Sequence, residues 1–360
     1  MTALELNWFG CDLRTGAIAE ELRSLREDQP LARKLGAQTS SSLSLALAGA
    51  PREWEAATDE GRTLLVGCDA ATGQPVWSGI TLVREGGSGA TVRLAAATPE
   101  AYLDRRYPGT YTATATDQTT VMAGLATAAL TGGPPISLDT TLSGTAIDYS
   151  MADGDDRTIL SGLQEISNMS GAPEFTVDTV WADAAQTRFA LVLRIKPTIG
   201  VQDSNPESVF DMPGCISTYT LAESYDRGRG ATSVIARGEQ AGGVRATSTV
   251  HTADDLIASG WCLWEHRWTP ATGISDTTQL DRHAVEALAL MRTGSRVWSV
   301  QAVASQAPRL GSDWALGDSI RVQVDSSPRH PTGAGAVARA YAWTLDVSAD
   351  RISPTLLEDV

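Results

Sequence analysis

The stretch WALGDSIRVQVD contains Gly317-Asp318-Ser319, the nucleophile signature of one class of hydrolases. A serine nucleophile needs a base within hydrogen-bond reach and a third group that orients the base. In that class the serine follows the first strand, near the N-terminus, and a downstream Asp-x-x-His supplies both partners. Here the triplet lies near the C-terminus and precedes an alternating apolar segment. Only His330 follows it, between Pro328 and Pro331. A Gly-Asp turn launching a strand over 319–324 accounts for every residue, so Ser319 is expected to serve a turn.

The other chemically capable residues fall into small groups. Asp153, Asp155 and Asp156 offer carboxylates at the short spacing that suits a hard cation, but the glycine and terminal glutamate of a calcium loop are missing. Carboxylates before a helix also stabilise it by capping, and Asp153 or Asp155 is expected to do this. Trp261, Trp264 and Trp268 with His266 have the make-up of a sugar-binding platform. As a strand, WCLWEHRW would put Cys262, Trp264, His266 and Trp268 on one face and Trp261 on the other, an aromatic ladder for a core or a subunit interface. The histidines are His251, His266, His283 and His330, and none has cysteine or acidic neighbours at metal-ligand spacing. Cys11, Cys68, Cys215 and Cys262 are far apart, which excludes a C-x-x-C zinc or redox motif and predicts buried free thiols. Neither a phosphate-binding loop nor a dinucleotide fingerprint occurs. No residue is assigned as catalytic, cofactor-binding or metal-binding, no cofactor is expected, and the chain is not expected to be an enzyme.

The elements that would carry these residues alternate in type. Over the first 110 or so positions the pattern is β. FGCDLRTGAIAEEL predicts strand, turn at Thr15-Gly16, strand. SSLSLALA alternates strictly, with Leu43, Leu45 and Leu47 on one face. Two strands with a loop at 71–74 follow, then GATVRLAAA with Val92, Leu94 and Ala96 in phase. TPEAYLDRR predicts a short helix with Thr98 as N-cap and Pro99 first. In the middle, Asp117 should cap a helix whose stripe is Val121, Leu125, Ala128 and Ala129, ended by Gly132. A second helix buries Ile159, Leu163 and Ile166 and ends at Gly171, and EFTVDTVW with TRFALVLRI then reads as a hairpin. KPTIGVQDSNPES has the composition of a linker. The last part returns to strands (TSVIARG, VRATSTV, WCLWEHRW, RVWSVQAVA, SIRVQVD, AVARAYAWTLDVS) around one strong helix. Asp276 should cap that helix with Gln279 reaching back, and Leu280, Ala284, Ala287, Leu288 and Met291 form its stripe, with His283 at the edge. ISPTLLEDV reads as a tail.

The fold class expected is mainly β with an α+β insertion. The expected domains are a β domain over 1–112, an α+β domain over 113–200, and a second β domain over 201–360 with an inserted helix at 277–293.

With 43 acidic against 28 basic residues the net charge is −15. Such a chain does not seek phosphate backbones, because nucleic-acid affinity comes largely from lysine and arginine displacing counterions. No apolar run approaches the roughly 20 residues of a membrane span, so no membrane insertion is expected. MTALELNWFG has neither a basic nor an apolar leader segment, so no secretory signal is expected and assembly in a cytoplasm is.

Spread over nearly the whole chain, several phrases in order resemble the tail-hub (baseplate hub or minor tail) proteins of long-tailed bacteriophages. WFGCDLRTGAIAEEL, SSLSLALA and GRTLLVGCDAATGQPVWSGITLVRE are similar to the opening half-barrel of that family. RTILSGLQEISNMSGAPEFTV with TRFALVLRI resembles its helix-plus-hairpin middle. ESYDRGRGATSVIARGEQ, TTQLDRHAVEALALMR, LGDSIRVQV and RAYAWTLDVS resemble its closing domain. The resemblance implies two tail-tube-like β-barrel domains plus a smaller α+β domain. It also implies a homotrimeric ring at the virion's tail tip, through which DNA is ejected without specific binding. The implied partners are a distal tail protein ring, a tape measure protein, and tail fibre or receptor-binding proteins. The chain is short for the family, so receptor binding and wall cleavage are expected to reside in other proteins. The competing readings are a tail-borne cell-wall or glycan hydrolase and a carbohydrate-binding adhesin.

Overall fold

A computed structural model describes residues 4–169, 171–241, 244–269 and 277–358. Contacts divide it into two compact units. The first comprises Met1–Tyr219 with Val300–Leu356, and the second Thr220–Ser299 with Leu357–Val360.

The first unit opens with eight strands: β1 (Leu6–Asp12), β2 (Ile18–Glu21), β3 (Leu25–Glu27), β4 (Leu31–Lys34), β5 (Ser40–Ala46), β6 (Thr63–Asp69), β7 (Pro75–Glu85) and β8 (Thr91–Ala97). Seven of them form one antiparallel sheet in the order β2-β1-β6-β7-β8-β5-β3. The predicted strand pair at Thr15-Gly16 is β1 and β2. Gly16 has φ +73, and a Cβ there would meet the Phe189 carbonyl oxygen at 1.8 Å, so the turn accepts only glycine. In β5, Leu43 and Leu45 are fully buried as their alternation requires, whereas Leu47 leaves the strand for a short 3-10 turn. Central strand β6 is buried at every position, which is why its sequence runs apolar without alternating.

The middle stretch holds α1 (Glu100–Leu103), β9 (Tyr111–Asp117), α2 (Gln118–Leu130), β10 (Ile136–Thr140), β11 (Ala146–Met151), α3 (Ile159–Ser167), β12 (Glu174–Trp181) and β13 (Phe189–Lys196). Asp117 caps α2 as expected, accepting from the Thr119 amide at 2.9 Å. Val121, Leu125 and Ala129 are buried, and Gly132 stands at φ +69 just past the end. The hairpin β12–β13 pairs from Glu174↔Lys196 to Trp181↔Phe189. Parallel strand β10 and the β9–β11 pair escaped the sequence reading because both are short and largely polar. Two caps differ from expectation. Before α1, Pro99 is the N-cap and the Thr98 side chain bonds instead to the Thr39 amide. Before α3, Thr158 is the cap, its hydroxyl accepting from the Ser161 amide at 3.1 Å, while Asp153 and Asp155 lie one turn upstream. Leu125, Leu163, Phe175 and Leu193 join Leu64 and Val66 of the first sheet in one continuous core.

A second sheet is built mostly from strands of the first unit. Its strands are β14 (Val209–Met212), β15 (Ile216–Ser224) and, further along the chain, β20 (Ser295–Val303), β21 (Ser319–Val324), β22 (Ala334–Asp346) and β23 (Arg351–Leu357), in the order β14-β21-β22-β23-β20-β15, with β15 and β20 running across the boundary at Tyr219/Thr220 and Ser299/Val300. Strand β4, from the N-terminal region, completes it by pairing with β22 from Lys34↔Ala342 to Leu31↔Leu345. ISPTLLEDV is not a tail: Arg351–Leu357 is a strand between β22 and β20, with Ile352 and Leu356 buried.

The second unit holds β16 (Ser233–Ala241), β17 (Val244–Thr247), β18 (His251–Thr252), α4 (Asp254–Ala258), β19 (Glu265–Trp268) and α5 (Thr277–Met291). Its small core sets Leu280, Ala284 and Met291 of α5 against Val234 and Ala236 of β16. The predicted Asp276 cap lies outside the described residues. Segment WCLWEHRW is strand only from Glu265, so the expected facing of Trp264 and Trp261 on opposite sides does not form. No helix among the described residues is long and apolar enough to cross a membrane.

Candidate functional site

Ser319 stands at the first position of β21 and is almost buried. Its hydroxyl faces the Gln202 side-chain oxygen at 3.4 Å and accepts from the Asp203 amide at 3.3 Å. An amide oxygen is no base. His330 is engaged elsewhere, its Nδ1 lying 2.7 Å from the Tyr219 hydroxyl. Asp318 organises the turn: its carboxylate accepts from the amides of Val201 at 2.6 Å and Ala315 at 2.7 Å. Two glycines let these loops touch. A Cβ on Gly200, at φ +85, would meet the Gly317 backbone at 2.2 Å, and Gly317 itself has φ +95. The turn-rich segment before β14 is therefore a docked seam rather than a loose linker. Glu174 fixes it further, accepting from the Ile199 amide at 2.8 Å and forming a two-pronged ion pair with Arg339 at 2.9 and 2.7 Å.

The aspartate cluster is exposed and internally occupied. Asp155 accepts from the Ala152 amide at 3.3 Å, and Asp156 closes the turn at φ +50. No group of three or more His, Cys, Asp or Glu side chains that could hold a metal ion occurs among the described residues. Cys11, Cys68 and Cys215 are buried as expected, and burial pushes the Cys68 thiol up to about 12 and the Cys215 thiol to about 11. Cys262 is the exception, standing exposed between Trp261 and Leu263.

Two buried charge clusters were not legible in sequence. Arg33 of β4 donates to Asp178 at 2.9 Å, Thr176 Oγ1 at 2.7 Å and the Val177 carbonyl at 2.9 Å, with buried Glu100 at 3.6 Å. Glu100 in turn accepts from the Val177 amide at 2.9 Å. Burial alone would raise the Asp178 carboxyl, but Arg33 and Arg194 outweigh it and hold the group below the usual carboxylate range. At the end of β6, Asp69 has no exposed side-chain surface and is clamped by Arg309, whose Nη2 lies at 2.7 Å and whose Nε also bonds it. Burial raises the Asp69 carboxyl, yet Arg309, the Ala71 amide and the Thr72 hydroxyl bring it below its ordinary value.

The most exposed chemistry lies in the second unit. Trp261, Leu263 and Trp264 are 42%, 58% and 55% exposed, although tryptophan and leucine are ordinarily interior. Tyr225 sits against both tryptophan rings, with centroids 5.1 and 6.1 Å away. Beside it a cavity of about 520 Å³ is bordered by Trp264, Asp226, Arg227, His266 and Arg267. Burial pushes His266 below its ordinary value, and the nearby Arg227 adds to this. Trp268 turns inward and lies 4.8 Å from His283, which burial likewise keeps low against the opposing pull of Glu286. The fold thus brings Trp261 and Trp264 together around Tyr225, with His266 on the border of the adjoining cavity, and turns Trp268 away toward His283.

The chain is mainly β, with tail-tube-like domains: one seven-stranded sheet shares its core with a smaller α+β layer, and a second seven-stranded sheet completes the fold. Three solved structures share it from end to end. The tail protein from Neisseria meningitidis MC58 is 14% identical with a TM-score of 0.56, the match covering 100% of this chain and 93% of that one. Prophage tail protein gp18 from Listeria monocytogenes EGD-e is 9% identical at TM-score 0.57, over 98% and 94%. The 43 kDa tail protein of prophage MuSo2 from Shewanella oneidensis is 11% identical at TM-score 0.57, over 98% of both chains. No model of a known protein family and no curated protein matches the sequence.

Proposed function

We propose that this chain is a structural hub at the tail tip of a long-tailed bacteriophage. In this reading three copies form a ring that closes the distal end of the tail tube, and fibre or receptor-binding proteins anchor to it. A distal tail protein ring and a tape measure protein are its other neighbours. The observation that supports this best is the end-to-end likeness to three tail proteins, with 93–98% of each covered. The division at 1–112, 113–200 and 201–360 is carried as part of the proposal, the outer parts each centred on one seven-stranded sheet. In this reading the role is structural, and it is supported by the hydroxyl of Ser319 meeting an amide oxygen and a backbone amide.

The charge of −15 fits a conduit. DNA slides through a hydrated channel most freely when the wall repels phosphate, and acidic residues achieve this at little cost. Immunogold labelling of purified particles with an antibody to this chain tests the reading. Gold at the tail end distal to the capsid is the expected result; gold on the capsid, or on no particle, refutes it. Sedimentation of the isolated protein should give three times the chain mass of 38.0 kDa.

A further inference from the structure

We propose that the exposed aromatic segment Trp261–Trp264 is the surface by which one copy of this chain docks on the next. The inference rests on the ring reading and deepens it by naming the face. Trp261, Cys262, Leu263 and Trp264 are exposed in succession and outside any strand or helix. Four consecutive exposed apolar residues are a fault in a surface unless something covers them. The exposure is also concentrated. Of the thirteen large apolar side chains that are exposed among the described residues, eight lie in the second unit, which is under a quarter of the chain.

The segment is held ready for contact. Tyr225 supports both tryptophans, and the backbone of Gly230 supports Tyr225: a Cβ on Gly230 would lie 2.4 Å from the ring. Gly294 closes from another direction, where a Cβ would lie 3.1 Å from the same ring. Rigid aromatics lose little entropy on docking, and tryptophan, tyrosine and arginine dominate the hot spots of protein interfaces.

The rim identifies the occupant. Arg227, Arg229 and Arg267 are exposed, and none has a carboxylate partner among the described residues. Asp226 and Glu265 adjoin them, equally without an ion pair. A rim of both signs, unpaired within the chain, matches a partner that also carries both signs. A polyanion such as DNA would meet Asp226 and Glu265 unfavourably. Copies of a chain with net charge −15 repel one another over most of their surface, so they associate best where the local charge is balanced. Three-fold closure is heterologous, so this face of one copy seats on a different face of the next.

Cys262 reads the interface directly, because Cys11, Cys68 and Cys215 are buried. The full-length protein is sedimented and its maleimide labelling timed over a dilution series. In the oligomer the Cys262 rate should fall at least ~10-fold below that of the diluted monomer. Trp264→Glu, and separately Arg227→Glu at an exposed position, should raise the dissociation constant by ~30-fold or more for the tryptophan and less for the arginine. Circular dichroism confirms that each variant is folded. A trimer that keeps Cys262 reactive, and whose mass is unchanged in both variants, overturns the face and leaves the ring standing. A monomer at every concentration overturns the ring itself and this inference with it. Protection that arises only when another tail protein is added overturns the assignment to a second copy.

Discussion

Removing the guanidinium of Arg309 should cost the first unit more than any surface substitution. Asp69 has no exposed side-chain surface, and Arg309 holds both of its oxygens. In Arg309→Met the carboxylate keeps only the Ala71 amide at 3.0 Å and the Thr72 hydroxyl at 3.1 Å. Stranding one partner of a buried pair costs about 3–5 kcal/mol, and the two remaining hydrogen bonds put the expected loss near the lower end, about 3 kcal/mol. For a unit of this size that lowers Tm by roughly 6–12 °C. The sign with pH follows from the direction of the shift. The folded Asp69 carboxyl lies below its ordinary value, so its contribution is present above about pH 4 and is lost as pH falls through the folded value. The gap between wild type and Arg309→Met should therefore be widest near pH 7 and narrow toward pH 3. Urea titrations of both proteins at the two pH values measure it. Adding Asp69→Asn to Arg309→Met should recover part of the loss, since the stranded charge is then gone. A difference under about 1 kcal/mol at pH 7, or one that does not narrow in acid, refutes the assignment of a buried, compensated pair.

Three further expectations follow from the same geometry. Gly200→Ala should destabilise by about 2 kcal/mol or more, read by thermal melting, because it forces φ +85 on alanine and drives a Cβ into the Gly317 backbone at 2.2 Å. Ser319→Ala should shift stability by no more than about 1 kcal/mol, since it removes one acceptor of the Asp203 amide; an ester-hydrolysis assay that loses a measurable rate on this change would reinstate the nucleophile reading. His266 and His283 both lie below the ordinary histidine value of about 6.5, so the unfolded chain takes up protons first and the second unit should lose stability as pH falls from about 6.5; amide exchange of β16, corrected for intrinsic pH effects, should quicken over that range.

Periodicity carried the sequence reading wherever a single face is buried. Leu43 and Leu45 of β5, the α2 stripe, and the fully paired β12–β13 hairpin all stand where alternation or helical spacing puts them. It failed where long-range pairing decides the outcome. Nothing local in LARK says that Leu31–Lys34 joins a sheet built from the other end of the chain, and nothing in ISPTLLEDV says that it sits between two strands. The caps of α1 and α3 went to Pro99 and Thr158 because several competent residues precede each helix and tertiary contacts choose among them. Of the candidate site, the residue types in WCLWEHRW were legible, but their orientation was not: the strand begins only at Glu265, so alternation does not apply to Trp261 and Trp264. Arg33 and Arg309 were missed because a buried arginine is defined by carboxylates that are distant in sequence.

The pairing of β4 with β22 joins residues about 310 positions apart, Arg33 opposite Trp343. During synthesis this strand emerges long before its partner and waits unpaired with it until residues 342–345 have been made. A polypeptide that lacks residues 342–345 therefore leaves β4 without its partner. For a component that enters an ordered assembly, this makes the N-terminal region a reporter of β22: a fragment ending before residue 342 lacks the partner that would let that region settle.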